Sequence, residues 1–269
     1  MAKANIHPTA VVHPSAKLGD DAEIGPFAVI GAGVVVGSAT RVEPHAVIYA
    51  DVQLGSQNVV WPGAVLGAAP QDLKFRGERT RVVIGDGNQI REGVTIHRGT
   101  EEGGGVTRVG SGCLLMAYSH VAHDGCIGDN VILGNNVLLA GHIRIGDCAY
   151  ICGGTAMHHF TTVGQYAYVG GLTRIVHDVP PFLIVEGNPS EMRGVNAVGL
   201  SRRGFSAETI EALRKAYKVL YVRGMVRSEA IAEVASSDYC TAEVMILLEF
   251  LRNTMEGKHG RAQEATRSH

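Results

Sequence analysis

The sequence predicts a mainly β protein, a parallel β-helix solenoid followed by a small α-helical domain. Three observations carry that fold class. Aliphatic residues recur at every sixth position over most of the chain. Glycine supplies 35 of 269 residues, about twice its ordinary share of ~7%. Aromatic residues make up only 6%. Together they describe many tight corners around small aliphatic layers.

The repeat starts at Ile6 and steps by six through Val12, Leu18, Ile24, Ile30, Val36, Val42, Ile48, Leu54, Val60 and Leu66. A run of that length arises by chance on the order of once in a million. It falters from Gly67 to Val83 and resumes in phase at Ile84, Ile90 and Ile96. A second interruption, His97 to Arg108, shifts the phase by one residue, and the pattern then runs from Val109 to Ile175. Neither a helix nor a simple strand isolates every sixth residue. A coil with three short faces does, its aliphatic side chain pointing inward. Glycine often follows that residue, as in Leu18-Gly19, Ile30-Gly31 and Ile145-Gly146. Corners of unusual φ/ψ and close backbone approach call for it. Roughly ten coils stacked at ~4.8 Å make a prism about 50 Å long. The interruptions predict loops extruded near 67–83 and 97–108, one highly charged, the other polar and glycine-rich. Long loops on a rigid scaffold are commonly functional.

After Pro180-Pro181 the sixfold pattern stops. Residues 1–190 are read as the β-helix and 191–269 as a C-terminal helical domain. Ser206 is placed to cap a helix carrying Ile210, Leu213, Tyr217, Leu220 and Tyr221 and ending at Gly224. A short helix is predicted at 228–236 and a third from Thr241 to Met255, with a polar tail from Gly257 expected to fray. A helical unit this small buries too little alone, so it should pack on the prism or on a neighbour.

Composition also excludes function classes. Lys+Arg number 24 against 26 Asp+Glu, so no global basic field favours nucleic acid. No apolar run approaches the ~18 residues of a membrane span, and Met1 to Ala10 lacks the apolar stretch of a signal peptide. Five cysteines without a CxxC fit reduced thiols in a cytosolic protein.

The chemistry gathers around histidine. Six of twelve histidines, His97, His120, His123, His142, His158 and His159, lie between 97 and 159. Spacings near whole coils should line them along one edge of the prism. Two chemistries suit such a set: a metal site, as imidazole is a common zinc ligand, or general-base catalysis by a neutral histidine. The neighbouring His123-Asp124 favours the second, since a carboxylate fixes the tautomer and stabilises the imidazolium.

The repeat resembles the left-handed hexapeptide-repeat transferases. Ser119 to Asp124 (SHVAHD) and Gly134 to His142 (GNNVLLAGH) resemble the UDP-N-acetylglucosamine acyltransferases that begin lipid A synthesis. So do Pro70 to Phe75 (PQDLKF), Gly153 to Phe160 (GGTAMHHF), Asp178 to Pro181 (DVPP), and Gly194 to Asn196 with Ser201 to Phe205 (SRRGF). The likeness is collinear from about residue 5 to beyond 220. It implies a left-handed coil and transfer of a (3R)-3-hydroxyacyl chain from acyl carrier protein to the glucosamine 3-hydroxyl of UDP-N-acetylglucosamine. It further implies a cytoplasmic homotrimer with sites between neighbouring prisms, no metal and no cofactor. By resemblance His123 is the general base, Asp124 its orienting partner, and the exposed N–H of Gly141 the oxyanion donor. Gln71, Asp72, Lys74, His120, His142 and His158 surround the sugar and phosphates. His159 stands where the family often has glutamine. Asn196, Arg202 and Arg203 hold the nucleotide, Val198 replaces an expected glutamate there, and Gly171 leaves room for the acyl chain. Arg202 and Arg203, with Arg214, Lys215, Lys218 and Arg223, are candidates for docking the acidic carrier. A coenzyme A-dependent transferase on another nucleotide sugar, a zinc-dependent hydratase and a non-catalytic solenoid are the competing readings.

Overall fold

Each six-residue unit folds as a two-residue strand and a corner, and the computed structural model describes residues 3–266 in this way and in the helices beyond. In Val29–Ile30 the first side chain is exposed and the second buried, a pattern repeated along the prism. From Asn5–Ile6 to Arg174–Ile175 the strands pair in parallel with their counterparts on neighbouring coils, as Val29 with Val47 and Ile30 with Ile48. Three sheets of eleven, nine and eight strands result, one on each face. From Ile24 onward the sixth-position aliphatics, Ile30, Ile48, Leu66 and Ile96 among them, stack as a continuous core at no more than 3% exposure. Ile6 is exposed at 45% and Val12 and Leu18 are only half-buried, because their coil is the open end of the stack.

At the corner glycines Gly37 and Gly146 the expected close backbone approach holds and the expected unusual φ does not. A Cβ on Gly37 would collide with the backbone of Gly55, and one on Gly146 would stand 2.5 Å from the amide nitrogen of Gln165. Close approach of coil to coil is what excludes a side chain at these two positions. Left-handed φ falls two residues later instead, on Asp21 (57°), Ala39 (54°), Asn130 (55°) and Cys148 (59°).

Both loops are shorter than their sequence interruptions. Strands Val65–Ala68 and Arg81–Ile84 leave 69–80 as the first loop, and Thr95–His97 and Val106–Val109 leave 98–105 as the second. The longer strands form because Val82 and Thr107, paired across the coils, turn inward to 0% exposure. Both loops leave the same corner, between the nine- and eight-stranded sheets.

Beyond the prolines, Leu183–Glu186 joins the eleven-stranded sheet in parallel and Glu191–Val195 returns antiparallel to it. Residues 191–195 therefore belong to the prism sheet, and the helices start at α1 (Ala197–Arg202). Next come α2 (Ala207–Tyr217), extended by a π-turn at Lys218–Val222, then α3 (Arg227–Ala235) and α4 (Ala242–Met255). Ser206 and Thr241 cap α2 and α4 by accepting from the amides of Thr209 and Val244. Leu213, Ala216, Leu247 and Leu248 form the helical core together with Phe182 and Leu183 of the last coil. The helices thus pack on the prism end. No described helix is long and apolar enough to cross a membrane.

The tail does not fray where it is described. Gly260–Thr266 forms a 3-10 turn, and Gly260 closes on Asp178, whose carboxylate also accepts from Thr254 Oγ1 at 3.2 Å and Thr162 N at 2.9 Å. A buried carboxylate needs such donors. The expected fraying of residues 267–269, like the reading of Met1 and Ala2, lies outside the described residues.

Candidate active site

The corner that releases both loops also carries the histidines. His123 and Asp124, Gly141 and His142, and His159 and Phe160 occupy equivalent places in three successive coils. Asp124, His142 and Phe160 all adopt left-handed φ, at 59°, 61° and 65°. Their side chains meet along the edge: His142 stacks on Phe160 with centroids 4.5 Å apart and sets its edge to His123 at 5.0 Å.

His123 Nδ1 lies 2.8 Å from Asp124 Oδ2, and the Asp124 side chain is only 1% exposed. The second loop seals it. Thr100 donates its N–H to Oδ1 at 2.8 Å and its hydroxyl to Oδ2 at 2.6 Å, while Gly103 packs against the carboxyl group. Burial pushes the Asp124 carboxyl up, but the bonds from His123 and Thr100, with the nearby His142, outweigh it and hold the group below its ordinary range. An ionised Asp124 accepts from Nδ1–H, which fixes the tautomer and leaves Nε2 with its lone pair. That nitrogen lies over Gly141: a Cβ there would stand 2.7 Å from Nε2 and 2.5 Å from Cε1. Gly141 is therefore buried under the ring, not exposed as the sequence reading expects. Its N–H makes no backbone hydrogen bond with the described residues.

His120 Nδ1 pairs with Thr95 Oγ1 at 2.7 Å, and burial, helped by His123, lowers its pKa. Beside it His97, 6% exposed, is pushed down to about 4, first by burial and then by His120 and His123. Both imidazoles are thus neutral at pH 7. His158 and His159 sit two coils beyond His120, with ring centroids 3.9 Å apart. In the first loop, Asp72 Oδ1 accepts from the Lys74 amide at 2.9 Å, a turn that presents exposed Gln71 and Lys74.

Other expected site residues stand elsewhere on the prism. Asn196, Arg202 and Arg203 line a cleft of about 470 Å³ with Tyr150, Tyr166 and Tyr168, beside the eleven-stranded sheet. Asn196 caps α1 by accepting from Gly199 N at 3.1 Å and donates to the Tyr166 carbonyl at 2.9 Å. Arg203 Nη1 reaches Cys148 Sγ at 3.2 Å, and Val198 on the rim is 64% exposed. Gly171 lies at the third corner, where a Cβ would only touch Gly153 O at 3.5 Å. Among the expected carrier-docking cations, Arg214 and Arg223 are paired with Glu211 and Glu233. One chain therefore does not gather the full set.

The family model described as "Udp N-acetylglucosamine O-acyltransferase; Domain 2" matches residues 178–260, and the bacterial transferase hexapeptide model matches 107–141. An acyl-[acyl-carrier-protein]--UDP-N-acetylglucosamine O-acyltransferase of Thiobacillus denitrificans is 48% identical over 94% of this chain and 98% of its own length. The chain belongs to the UDP-N-acetylglucosamine O-acyltransferase family. The crystal structure of a Bacteroides fragilis acyltransferase of this family superposes with a TM-score of 0.92 at 42% identity, over 95% of this chain and 98% of that one. The Francisella novicida acyltransferase gives 0.89 at 39%, over 95% and 92%.

Within this acyltransferase fold, Thr100 was not legible from sequence. The only signal was a polar, glycine-rich interruption, and nothing local ties it to a carboxylate 24 residues later. His123, Asp124 and His142 also place potential metal-ligand atoms within 4.8 Å of one another. Both Asp124 oxygens, however, already accept hydrogen bonds, an arrangement suited to holding an imidazole.

Proposed function

We propose that this chain transfers a (3R)-3-hydroxyacyl group from acyl carrier protein to the 3-hydroxyl of UDP-N-acetylglucosamine, the first step of lipid A synthesis, with His123 as general base and no metal. The observation that carries this reading is the buried Thr100–Asp124–His123 relay, which engages Nδ1 and leaves the Nε2 lone pair above Gly141. Nε2 takes the proton of the sugar hydroxyl as its oxygen bonds to the thioester carbonyl carbon. Asp124 stabilises the imidazolium so formed. The Gly141 N–H donates to the oxyanion of the tetrahedral adduct. Collapse breaks the carbon–sulfur bond, and the imidazolium returns its proton to the departing carrier thiolate.

Gln71, Asp72, Lys74, His120, His142, His158 and His159 hold the sugar and phosphates in this scheme. Arg202 and Arg203 suit phosphate, with Asn196 beside them on the nucleotide. Gly171 leaves a groove for the acyl chain. Because these groups stand on different edges of one prism, the scheme needs a neighbour, and a cytoplasmic homotrimer with three interfacial sites supplies it. Each prism then presents one edge to the next.

His123→Ala is expected to keep the fold and lose at least about a hundredfold in rate, the scale of a general base. Mass spectrometry of products from UDP-N-acetylglucosamine and a panel of hydroxyacyl carrier proteins reads both the reaction and the chain length. Full activity in the variant would refute the assigned base.

A further inference from the structure

The acyl-transfer scheme assigns Glu264 no role, yet the tail carries it back to the histidine edge. Its Oε1 lies 2.7 Å from His159 Nε2, across 105 residues of sequence. The route is anchored at two points, Gly260 against the Asp178 carboxylate and His259 stacked on Phe250 at 5.2 Å. Arg261 Nε holds the other oxygen, Oε2, at 3.2 Å, which orients Oε1 toward the imidazoles. His158 Nδ1 is 3.2 Å from the carbonyl oxygen of His159, where an Nδ1–H donates and Nε2 keeps its lone pair. A hydrogen bond of this kind, from the far ring nitrogen to a carbonyl, is the usual support behind a metal-ligating histidine.

We propose that His158, His159 and Glu264 form a binding site for a divalent transition-metal ion of the zinc type. Ligand atoms of the three residues lie within 4.8 Å of one another. Donors on one tetrahedral zinc stand roughly 3.3 Å apart, given bonds of ~2.0–2.1 Å, so small side-chain rotations close the set. Two imidazoles and one carboxylate select zinc, nickel or cobalt over magnesium and calcium, which want oxygen. The His159 and Glu264 side chains are each 39% exposed, which leaves an entry path and an open position for water. The ion takes the place of the hydrogen between His159 Nε2 and Glu264 Oε1, so metal binding and this hydrogen bond exclude each other. Bound metal pins the tail to the prism. It also withdraws His158 from the acceptor sugar, a consequence that rests on the acyl-transfer reading, whereas binding does not.

The test is zinc chloride titrated into metal-free full-length protein at pH 7, followed by calorimetry and by acyl-transfer rate. Wild type is expected to bind one zinc per chain and slow as it fills. Glu264→Gln should keep the zinc-free rate, bind zinc at least tenfold more weakly and resist inhibition by the same factor. Equal zinc affinity in the two proteins would place the ion on His123, Asp124 and His142 and overturn the proposal. So would the absence of wild-type binding below millimolar zinc. Glu264-dependent binding without any inhibition would uphold the metal site and contradict the placement of His158 at the sugar.

Discussion

Thr100 joins loop to base through a single carboxylate. Its hydroxyl is 2.6 Å from Asp124 Oδ2, the oxygen that also receives His123 Nδ1. A hydrogen bond to a charged group is worth about 1.5–3 kcal/mol, so Thr100→Val is expected to lower kcat roughly tenfold with little change in KM. Losing that donor raises the Asp124 pKa, and the acid limb of the kcat pH profile should move to higher pH. An unmoved limb would mean that Thr100 shapes the loop without tuning the carboxylate. His97 adds a pH dependence of stability. Its folded pKa of about 4 lies below its ordinary 6.5, so between these values the unfolded chain holds more protons and acid favours unfolding. Stability is complete above 6.5 and declines as pH falls toward 4. Urea unfolding across that range should show a shallower slope for His97→Gln. At this scale the sequence displayed His123 and Asp124 because they are adjacent. Thr100 and Glu264 were hidden because a loop and a tail deliver them from afar.

The six-residue unit was the most legible element, since its inward aliphatic repeats with the coil. Its glycines were legible as corners, and so was the close backbone approach that demands them, but not their ordinary φ. Ordinary φ and a backbone one coil away describe Gly37, where the expectation was unusual dihedrals. Gly37→Ala should destabilise by about 1–3 kcal/mol, the usual cost of overpacking, read as a lower urea midpoint with unchanged activity at low temperature. A neutral effect would show that the coils can separate locally. The loops were visible as lost periodicity, yet their bounds were not, because the inward turns of Val82 and Thr107 continue the strands in a different register. Nor does an interruption show which corner releases it. That both leave the histidine corner follows from strand order alone.

For the whole molecule, the partition of the site is the main consequence of the prism. His123, Asp124, Gly141 and His142 share one edge, while Asn196, Arg202 and Arg203 gather beside the eleven-stranded sheet. Sequence could name both groups through resemblance. It could not show that one chain keeps them apart, because that depends on which corner each coil residue reaches. In the proposed scheme a neighbouring chain brings the histidine edge to the nucleotide residues. Co-expression of differently tagged His123→Ala and Arg202→Ala/Arg203→Ala chains, purified through both tags, tests it directly by acyl-transfer rate. Every mixed trimer closed as a ring joins one intact histidine edge to one intact nucleotide set, so the doubly purified oligomer should recover roughly a third of wild-type activity. A rate no higher than that of the two variants alone would contradict a site shared between chains.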